Sequence, residues 1–290
     1  MRLGVLFTRL RVEEKWLFAA LDERGLDYER LLDRDVSFDL TSPAAWGEYD
    51  LIFIRSLSTT RGLYAAQVLN ARGVPTINSY AVVATCNDKI ATTAALTSAG
   101  VPQPRGFVAF DTDMAIAKGE EFGYPYVVKP VQGSWGRMVA RINDRDAAEA
   151  VFEQRRFLGS AQQQVYYLQE YIVKPERDIR AFVIGDETPV AIYRESEHWI
   201  TNTARGATAS ECPVTPEMHA LCQAAAAAVG GGVLAIDLFE DPERGLLVNE
   251  VNHTMEYHST VPLTSVDLPG LIIDYALQNI EPQAAEEMGV

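Results

Sequence analysis

The sequence is poor in several features, and each shortage removes a class of protein. Cysteine occurs three times (Cys86, Cys212, Cys222), an odd number with no CxxC spacing. A disulfide framework or thiolate metal knuckle is thereby excluded, and a reducing cytoplasm is the expected setting. No uninterrupted apolar run approaches the roughly 18–20 residues needed to cross a bilayer. The opening MRLGVLFTRL reads as a first strand rather than a secretory leader. Basic residues are outnumbered, 25 Lys and Arg against 40 Asp and Glu, for a formal net charge of −15. That balance argues against nucleic acid or an anionic membrane as the main partner. An anionic ligand has to be held by a local cluster of cations working against the field of the whole molecule. The patterns GxGxxG and GxxxxGK[ST] are both missing, so no Rossmann or P-loop site is expected.

At 290 residues with 48% apolar content, the chain can bury a sizeable core spread over two or three units that share a cleft. LGVLF (3–7) reads as a buried strand and 12–24 as an amphipathic helix closed by Gly25. DLIFIRS (50–56) is a second apolar strand, 62–73 the next helix and VPTINS a short strand. Alternating strands and helices predict a small parallel α/β sheet over residues 1–86. A central lobe, 87–165, holds a helix over 87–100 capped by Asn87 or Asp88 and stopped by Gly100. It continues with a hairpin (YVVKPV, QGSWGR, MVARI) and a helix over 145–158. VYYLQEYIV, DIRAFVIGD and TPVAIYRES predict an antiparallel meander that opens a third, α+β unit over 166–280. The Ala-rich helix 216–229, the hairpin VLAIDLFE–DPERG–LLVNEVN and a last helix at 269–279 complete it, and 281–290 reads as a frayed tail.

The chemistry concentrates in a few places. Lys129 closes an apolar strand, where an ammonium must either snorkel or face an anion. Gly133-Ser134-Trp135-Gly136 follows, a loop whose amides can turn towards phosphate oxygens; the alternative is an ordinary hairpin turn. In LQEYIV an extended segment offers backbone groups to an adenine edge, and Asp178 and Arg180 alternate so that both can face one cleft. Glu250 and Asn252, two apart on a strand, share a face, and the turn around Glu243 sets Asp237 opposite residues 249–250. Asp237, Glu250 and Asn252 are thus three hard oxygen donors suited to Mg²⁺ on nucleotide phosphates. The alternative is a buried acid pair satisfied by N–H groups and arginines. His253 and His258, five apart, fit neither a strand face nor a helix face as a zinc pair.

Taken in order, Lys89, Lys129, the glycine loop, QEYI, DIR and Asp…Glu-x-Asn resemble the ATP-grasp ligases over nearly the whole chain. PVQGSWGRMVA, IYRESEHWITNTARG, ECPVT and LLVNEVNHTME resemble one branch, the LysX group related to RimK. Its members join an amino acid to the C-terminal glutamate of a small acidic carrier protein. The resemblance implies an ATP-grasp fold behind an N-terminal parallel α/β domain, with ATP and two Mg²⁺ ions as cofactors. It implies phosphate contacts from Lys89 and Lys129 and a cover formed by Gly133, Ser134, Trp135, Gly136 and Arg137. It further implies an adenine cradle at Gln169, Glu170, Tyr171 and Ile172, ribose near Asp178, and metal at Asp237, Glu250 and Asn252. Arg194, Asn202, Thr203, Ala204 and Arg205 would line the acyl-phosphate and amino-acid site, with Arg180 nearby and catalytic roles for Arg194, Arg205, Asn202 and Arg180. Glu256, Tyr257, His258, Ser259 and Thr260 would face the amino acid, α-aminoadipate first and glutamate second. His258-Ser259-Thr260 stands where the aminoadipate-specific members resemble Lys-Asn-Ser or Lys-Asn-Thr, which bears on side-chain selection. Dimers or tetramers are common in the group. Arg9, Arg11, Arg55 and Arg61, at the ends of the parallel strands, are expected to form a basic rim that docks the carrier.

Overall fold

A computed structural model describes residues 1–42, 46–133, 135–201 and 206–280. β1 (Leu3–Phe7) and β3 (Leu51–Arg55) are buried at every position, as strands covered on both faces must be. They run parallel within a sheet ordered β2–β1–β3–β4, with β2 at Tyr28–Leu32 and β4 at Thr76–Ile77. Helix α1 (Val12–Glu23) carries Glu13 and Glu14 in its first turn, where the helix dipole favours acid. Helix α2 (Thr59–Asn70) starts three residues earlier than the periodicity predicts because the Ser58 side chain accepts from Arg61 N at 3.3 Å and sets the cap. Two helices follow, α3 (Tyr80–Asn87) and α4 (Lys89–Ser98), the latter capped by Asp88, which accepts from Ile90 N and Ala91 N.

The central sheet is ordered β5–β8–β6–β7, from β5 (Gly106–Ala109), β6 (Tyr126–Lys129), β7 (Ala140–Ile142) and β8 (Tyr166–Glu170). Helices α5 (Thr112–Phe122) and α6 (Arg145–Leu158) cover it. The 126–142 hairpin forms as read. The meander does not: Tyr166–Glu170 pairs with β5 and β6 and belongs to this central sheet rather than to the third unit.

The third sheet is ordered β11–β10–β9–β12–β13. Its strands are β9 (Arg177–Ile184), β10 (Glu187–Glu195), β11 (Thr208–Cys212), β12 (Val233–Asp241) and β13 (Gly245–Asn252). Helix α7 (Pro216–Val229) packs its apolar side on one face. Helix α8 (Leu268–Gln278) and α1 share a core with the other face, so the last helix among the described residues returns to the N-terminal sheet. Asn78 closes the seam. Its side chain donates to the carbonyls of Val233 (2.7 Å) and His253 (2.6 Å) and accepts from Val233 N (2.7 Å).

Candidate active site

Cross-strand register assembles the charged centre. Arg194 on β10 sits opposite Asp178 on β9, and one row along, Arg180 on β9 sits opposite Asp237 on β12, which sits opposite Glu250 on β13. Arg194 grips Asp178 through two bonds of 2.6 and 2.8 Å and reaches Asp237 at 3.1 Å. Arg180 grips Asp237 at 2.8 and 3.0 Å. Thr201 donates its hydroxyl to Asp178. Burial works to raise the Asp237 pKa, but Arg180 and Arg194 outweigh it and hold the group below the usual carboxylate range. The same two carboxylates push Arg194 up against its own burial.

A bulge aims the next pair of residues. Asp237 pairs with Glu250 but Leu238 pairs with Val248, so Asn249 is an extra residue on β13. Consecutive residues of a regular strand face opposite ways; here Asn249 and Glu250 both line one cavity. Asn249 accepts from Lys129 Nζ at 2.8 Å, and Glu250 meets Lys89 Nζ at 3.0 Å. Lys89 also donates to the Gly133 carbonyl at 3.1 Å, tying the glycine loop to this wall. Burial pulls the Lys129 ammonium down to about 8, with Glu250 raising it and Lys89 lowering it. Lys89, Lys129, Arg180 and Arg194 face Asp178, Asp237 and Glu250, four cations against three carboxylates. An acidic protein thereby gathers cations at this one row of strands and matches its carboxylates there.

That cavity, about 610 Å³ between the central and third sheets, is lined by Lys89, Lys129, Gly133, Trp135, Gly136, Arg137, Gln169, Glu170, Tyr171, Ile172 and Asp178. Every described residue assigned to the nucleotide by resemblance is therefore on one wall or another; Ser134 lies outside the described residues. β8 pairs antiparallel with β6 so that Gln169 stands beside Val127, two residues from Lys129 on the same face. Glu170 is tied down by Arg244 (3.1 Å) and by Arg105 N (3.1 Å). Tyr171, Trp199 and Arg141 cluster at the rim, with the guanidinium 5.5 Å and 5.7 Å from the two ring centres. Trp135 has φ +60, a left-handed conformation that large side chains seldom adopt.

A second, smaller cavity of about 110 Å³ shares Lys89, Gly133, Trp135 and Glu250 with the first. Arg180, Arg194, Asp237, Asn252, His253, Thr254 and Glu256 line it from the third unit, and Ser56, Leu57 and Thr59 from the N-terminal domain, between β3 and the start of α2. Glu256 accepts from Trp135 Nε1 at 3.2 Å and from Arg11 at 2.9 Å. The rest of that stretch turns away. Tyr257 is fully buried against Trp16 and donates to the Glu13 carbonyl, His258 meets the Glu13 carboxylate at 2.9 Å, and Thr260 is buried. Of the five residues expected to face the amino acid, only Glu256 reaches the cavity, because Tyr257 and His258 are committed to the start of α1. Asn202, Thr203, Ala204 and Arg205 lie outside the described residues.

The remaining expectations concern Asp178 and the basic rim. Asp178, placed near the ribose by resemblance, does line the large cavity, but both its oxygens are already held by Arg194. Its evident work is to position that arginine. The basic rim is largely spent: Arg55 is buried, donating to Glu14 (3.3 Å) and to the Met255 carbonyl (3.0 Å), and Arg11 is bound to Glu14 and Glu256. Arg61 meets Asp33 at 2.9 Å, and Arg9 is exposed.

The donor set fits a magnesium ion that also rests on phosphates. Asp237 and Glu250 face each other and Asn252 lies two residues on, all oxygen donors on one cavity wall; the Asn252 amide nitrogen is turned to the Ala235 carbonyl at 3.4 Å. Among the described residues no three His, Cys, Asp or Glu gather as a full protein cage, and Mg²⁺ characteristically takes one or two carboxylates plus phosphates and water. Neutralisation of the acid pair does not itself demand the metal, since Arg180, Arg194 and Lys89 already supply it. His253, half-buried and pulled down to about 4 by desolvation with Arg55 adding to it, has both ring nitrogens engaged, Nε2 by Asn87 and Nδ1 by Thr254.

Residues 3–85 match the LysX preATP-grasp domain and residues 86–276 the RimK-like ATP-grasp domain. The chain is 38% identical over 269 residues to alpha-aminoadipate–LysW ligase LysX of Saccharolobus solfataricus, covering 92% of this chain and 98% of that one. It is 33% identical over 283 residues to glutamate–LysW ligase ArgX of Sulfurisphaera tokodaii, covering 96% and 99%. Among solved structures, the RimK domain ATP-grasp protein of Sphaerobacter thermophilus superposes with a TM-score of 0.79 at 26% identity, covering 95% of this chain and 99% of that one.

Proposed function

The chain belongs to the LysX/RimK family of ATP-grasp ligases and is an ATP-dependent ligase, and from that premise we propose that it joins the α-amino group of α-aminoadipate to the γ-carboxylate of the C-terminal glutamate of a small acidic LysW-type carrier. One observation carries this reading: the two cavities meet at Lys89, Gly133, Trp135 and Glu250. A γ-phosphate laid along the large cavity ends where a carboxylate in the small one can receive it. A carboxylate is a poor acyl donor, and its acyl-phosphate is the species an amine attacks. The chemistry asks for alignment and charge neutralisation rather than a protein nucleophile.

Each side chain then has work. Lys89 and Lys129 hold phosphate oxygens, and Lys89 keeps the glycine loop in place through Gly133. Arg180 and Arg194, pre-set by Asp237 and Asp178, offer guanidinium groups to the charge that develops on the transferred group. Asp237, Glu250 and Asn252 would hold Mg²⁺, two ions in this reading, which when bound screen the phosphate charge. Gln169 to Ile172 present the extended edge for the adenine, and the resemblance alone assigns the acceptor side to Asn202, Thr203, Ala204 and Arg205. A cytoplasmic dimer or tetramer is part of the same reading. Glutamate is the second choice of amino acid, and identity to LysX (38%) above ArgX (33%) supports α-aminoadipate.

The test is direct. Purified protein, ATP, Mg²⁺ and carrier are mixed with α-aminoadipate or glutamate, and ADP and carrier mass are followed. The carrier should gain one α-aminoadipyl residue per ADP released. ADP release without a change in carrier mass would remove the proposal, and equal kcat/KM for both amino acids would remove the stated preference.

A further inference from the structure

One wall of the small cavity has no part in the chemistry above. Ser56 follows β3 at the carboxyl edge of the parallel sheet, the place where open α/β sheets receive ligands. The residue is 5% exposed, lines the cavity, and its hydroxyl has no hydrogen-bond partner among the described residues. A buried hydroxyl without a partner is costly and therefore informative. Leu57 and Thr59 continue this wall into the first turn of α2, a helix of 12 residues. The first N–H groups of a helix have no partner inside it and carry the positive end of its dipole. The Ser58 side chain serves only the Arg61 N–H, at 3.3 Å. On the opposite wall, Arg180 and Arg194 are already engaged by Asp237 and Asp178.

We propose that Ser56 and the first turn of α2 form a carboxylate subsite, so that the N-terminal domain binds substrate directly. Ser56 donates its hydroxyl to one carboxylate oxygen and the helix terminus faces the negative charge. The inference rests on the ligase reading and extends it: phosphoryl transfer belongs to the arginine wall, and anchoring of the carboxylate that does not react belongs to the serine wall. Two molecules could bring that group, the free amino acid through its α- or side-chain carboxylate, and the carrier through its terminal α-carboxylate.

Ser56→Ala deletes the hydroxyl, and Ser56→Cys keeps the volume with a weaker donor and serves if the alanine variant does not fold. Each is assayed twice, by full ligation and by hydroxylamine trapping of the activated carrier with no amino acid present. If the amino acid supplies the group, Ser56→Ala should raise its KM about tenfold, with the cysteine variant between and the carrier KM of the trapping assay as in the parent. If the carrier supplies it, the carrier KM should rise in both assays. Either result supports the subsite and identifies its occupant. Folded variants in which neither KM moves would overturn it. A parent protein that yields neither ligated carrier nor hydroxamate would instead remove the ligase reading beneath it.

Discussion

Arg194 should be as important to the fold as to the site, and the two roles can be separated. It is 2% exposed and binds two buried carboxylates, Asp178 through a bidentate pair and Asp237 at 3.1 Å. Replacing it with Met keeps much of the volume but strands a charge. Asp237 still has Arg180 at 2.8 and 3.0 Å, whereas among the described residues Asp178 keeps only the Thr201 hydroxyl as a direct partner. Breaking a buried pair from one side costs about 3–5 kcal/mol, because the remaining carboxylate is neither hydrated nor matched. In a chain of this size each kcal/mol moves Tm by roughly 2–4 °C. Arg194→Met should therefore unfold roughly 6–20 °C below the parent, read by circular dichroism or calorimetry at neutral pH. Adding Asp178→Asn removes the stranded charge and leaves an amide that Thr201 can still bond. The double variant should regain much of the loss, a coupling of up to about 3 kcal/mol. Ligation should stay strongly reduced in both, since only Arg180 remains of the two guanidinium groups offered to the transferred group. A single variant that loses less than about 1 kcal/mol, or a double variant that falls by the sum of the singles, would refute the view that Asp178 exists to hold Arg194.

Lys129, charged below about pH 8, sheds its charge as the pH rises through that value. Nucleotide binding at pH 8.5–9 should then take up a proton, visible in calorimetry across buffers of different ionisation enthalpy, and Lys129→Met should abolish the uptake. Because the unfolded lysine titrates nearer 10.5, the unfolded chain holds the extra proton between about pH 8 and 10.5, and this residue's contribution to stability rises across that window. Glu250→Gln preserves size but removes a carboxylate from the oxygen set, so half-maximal activity should need at least the roughly tenfold more Mg²⁺ that even an outer-sphere loss produces. An unchanged Mg²⁺ requirement would take Glu250 out of the metal site. Gly232→Ala should cost roughly 1–3 kcal/mol by overpacking: φ is +110 there, and an added Cβ would lie 2.2 Å from the Asn78 oxygen that accepts from Val233. A thermal unfolding curve matching the parent's would contradict that seam.

The sheet elements were readable because their burial follows the chain locally. LGVLF and LIFI are apolar without a break, and the hairpin turn DPERG fixes Asp237 against Glu250. What the sequence hid is long-range. Strict alternation turns Asn249 away from Glu250, and only the bulge, a matter of pairing rather than composition, brings both to the phosphate side. The two arginines that neutralise Asp237 stand 57 and 43 positions from it along the chain and become its neighbours only through the β9–β10–β12 register. Tyr257 and His258 looked like pocket residues because they follow Glu-x-Asn. Their partners are on α1, some 245 residues earlier. Ser56 carried one weak signal, its place just past an apolar strand and before a helix cap, and that signal is shared by many serines.

The contacts made by Glu256, Tyr257 and His258 bear on how such enzymes can be recombined. The two family domains meet between residues 85 and 86, and that junction invites exchange of N-terminal modules between relatives of different substrate preference. Yet Arg11, Glu13 and Trp16 on one side are matched to Glu256, His258 and Tyr257 on the other. A chimera cut at the junction would inherit a key from one parent and a lock from another. Productive crossovers should be those that carry the start of α1 together with the stretch after β13, and natural shuffling in this lineage should leave those two short segments travelling as a pair.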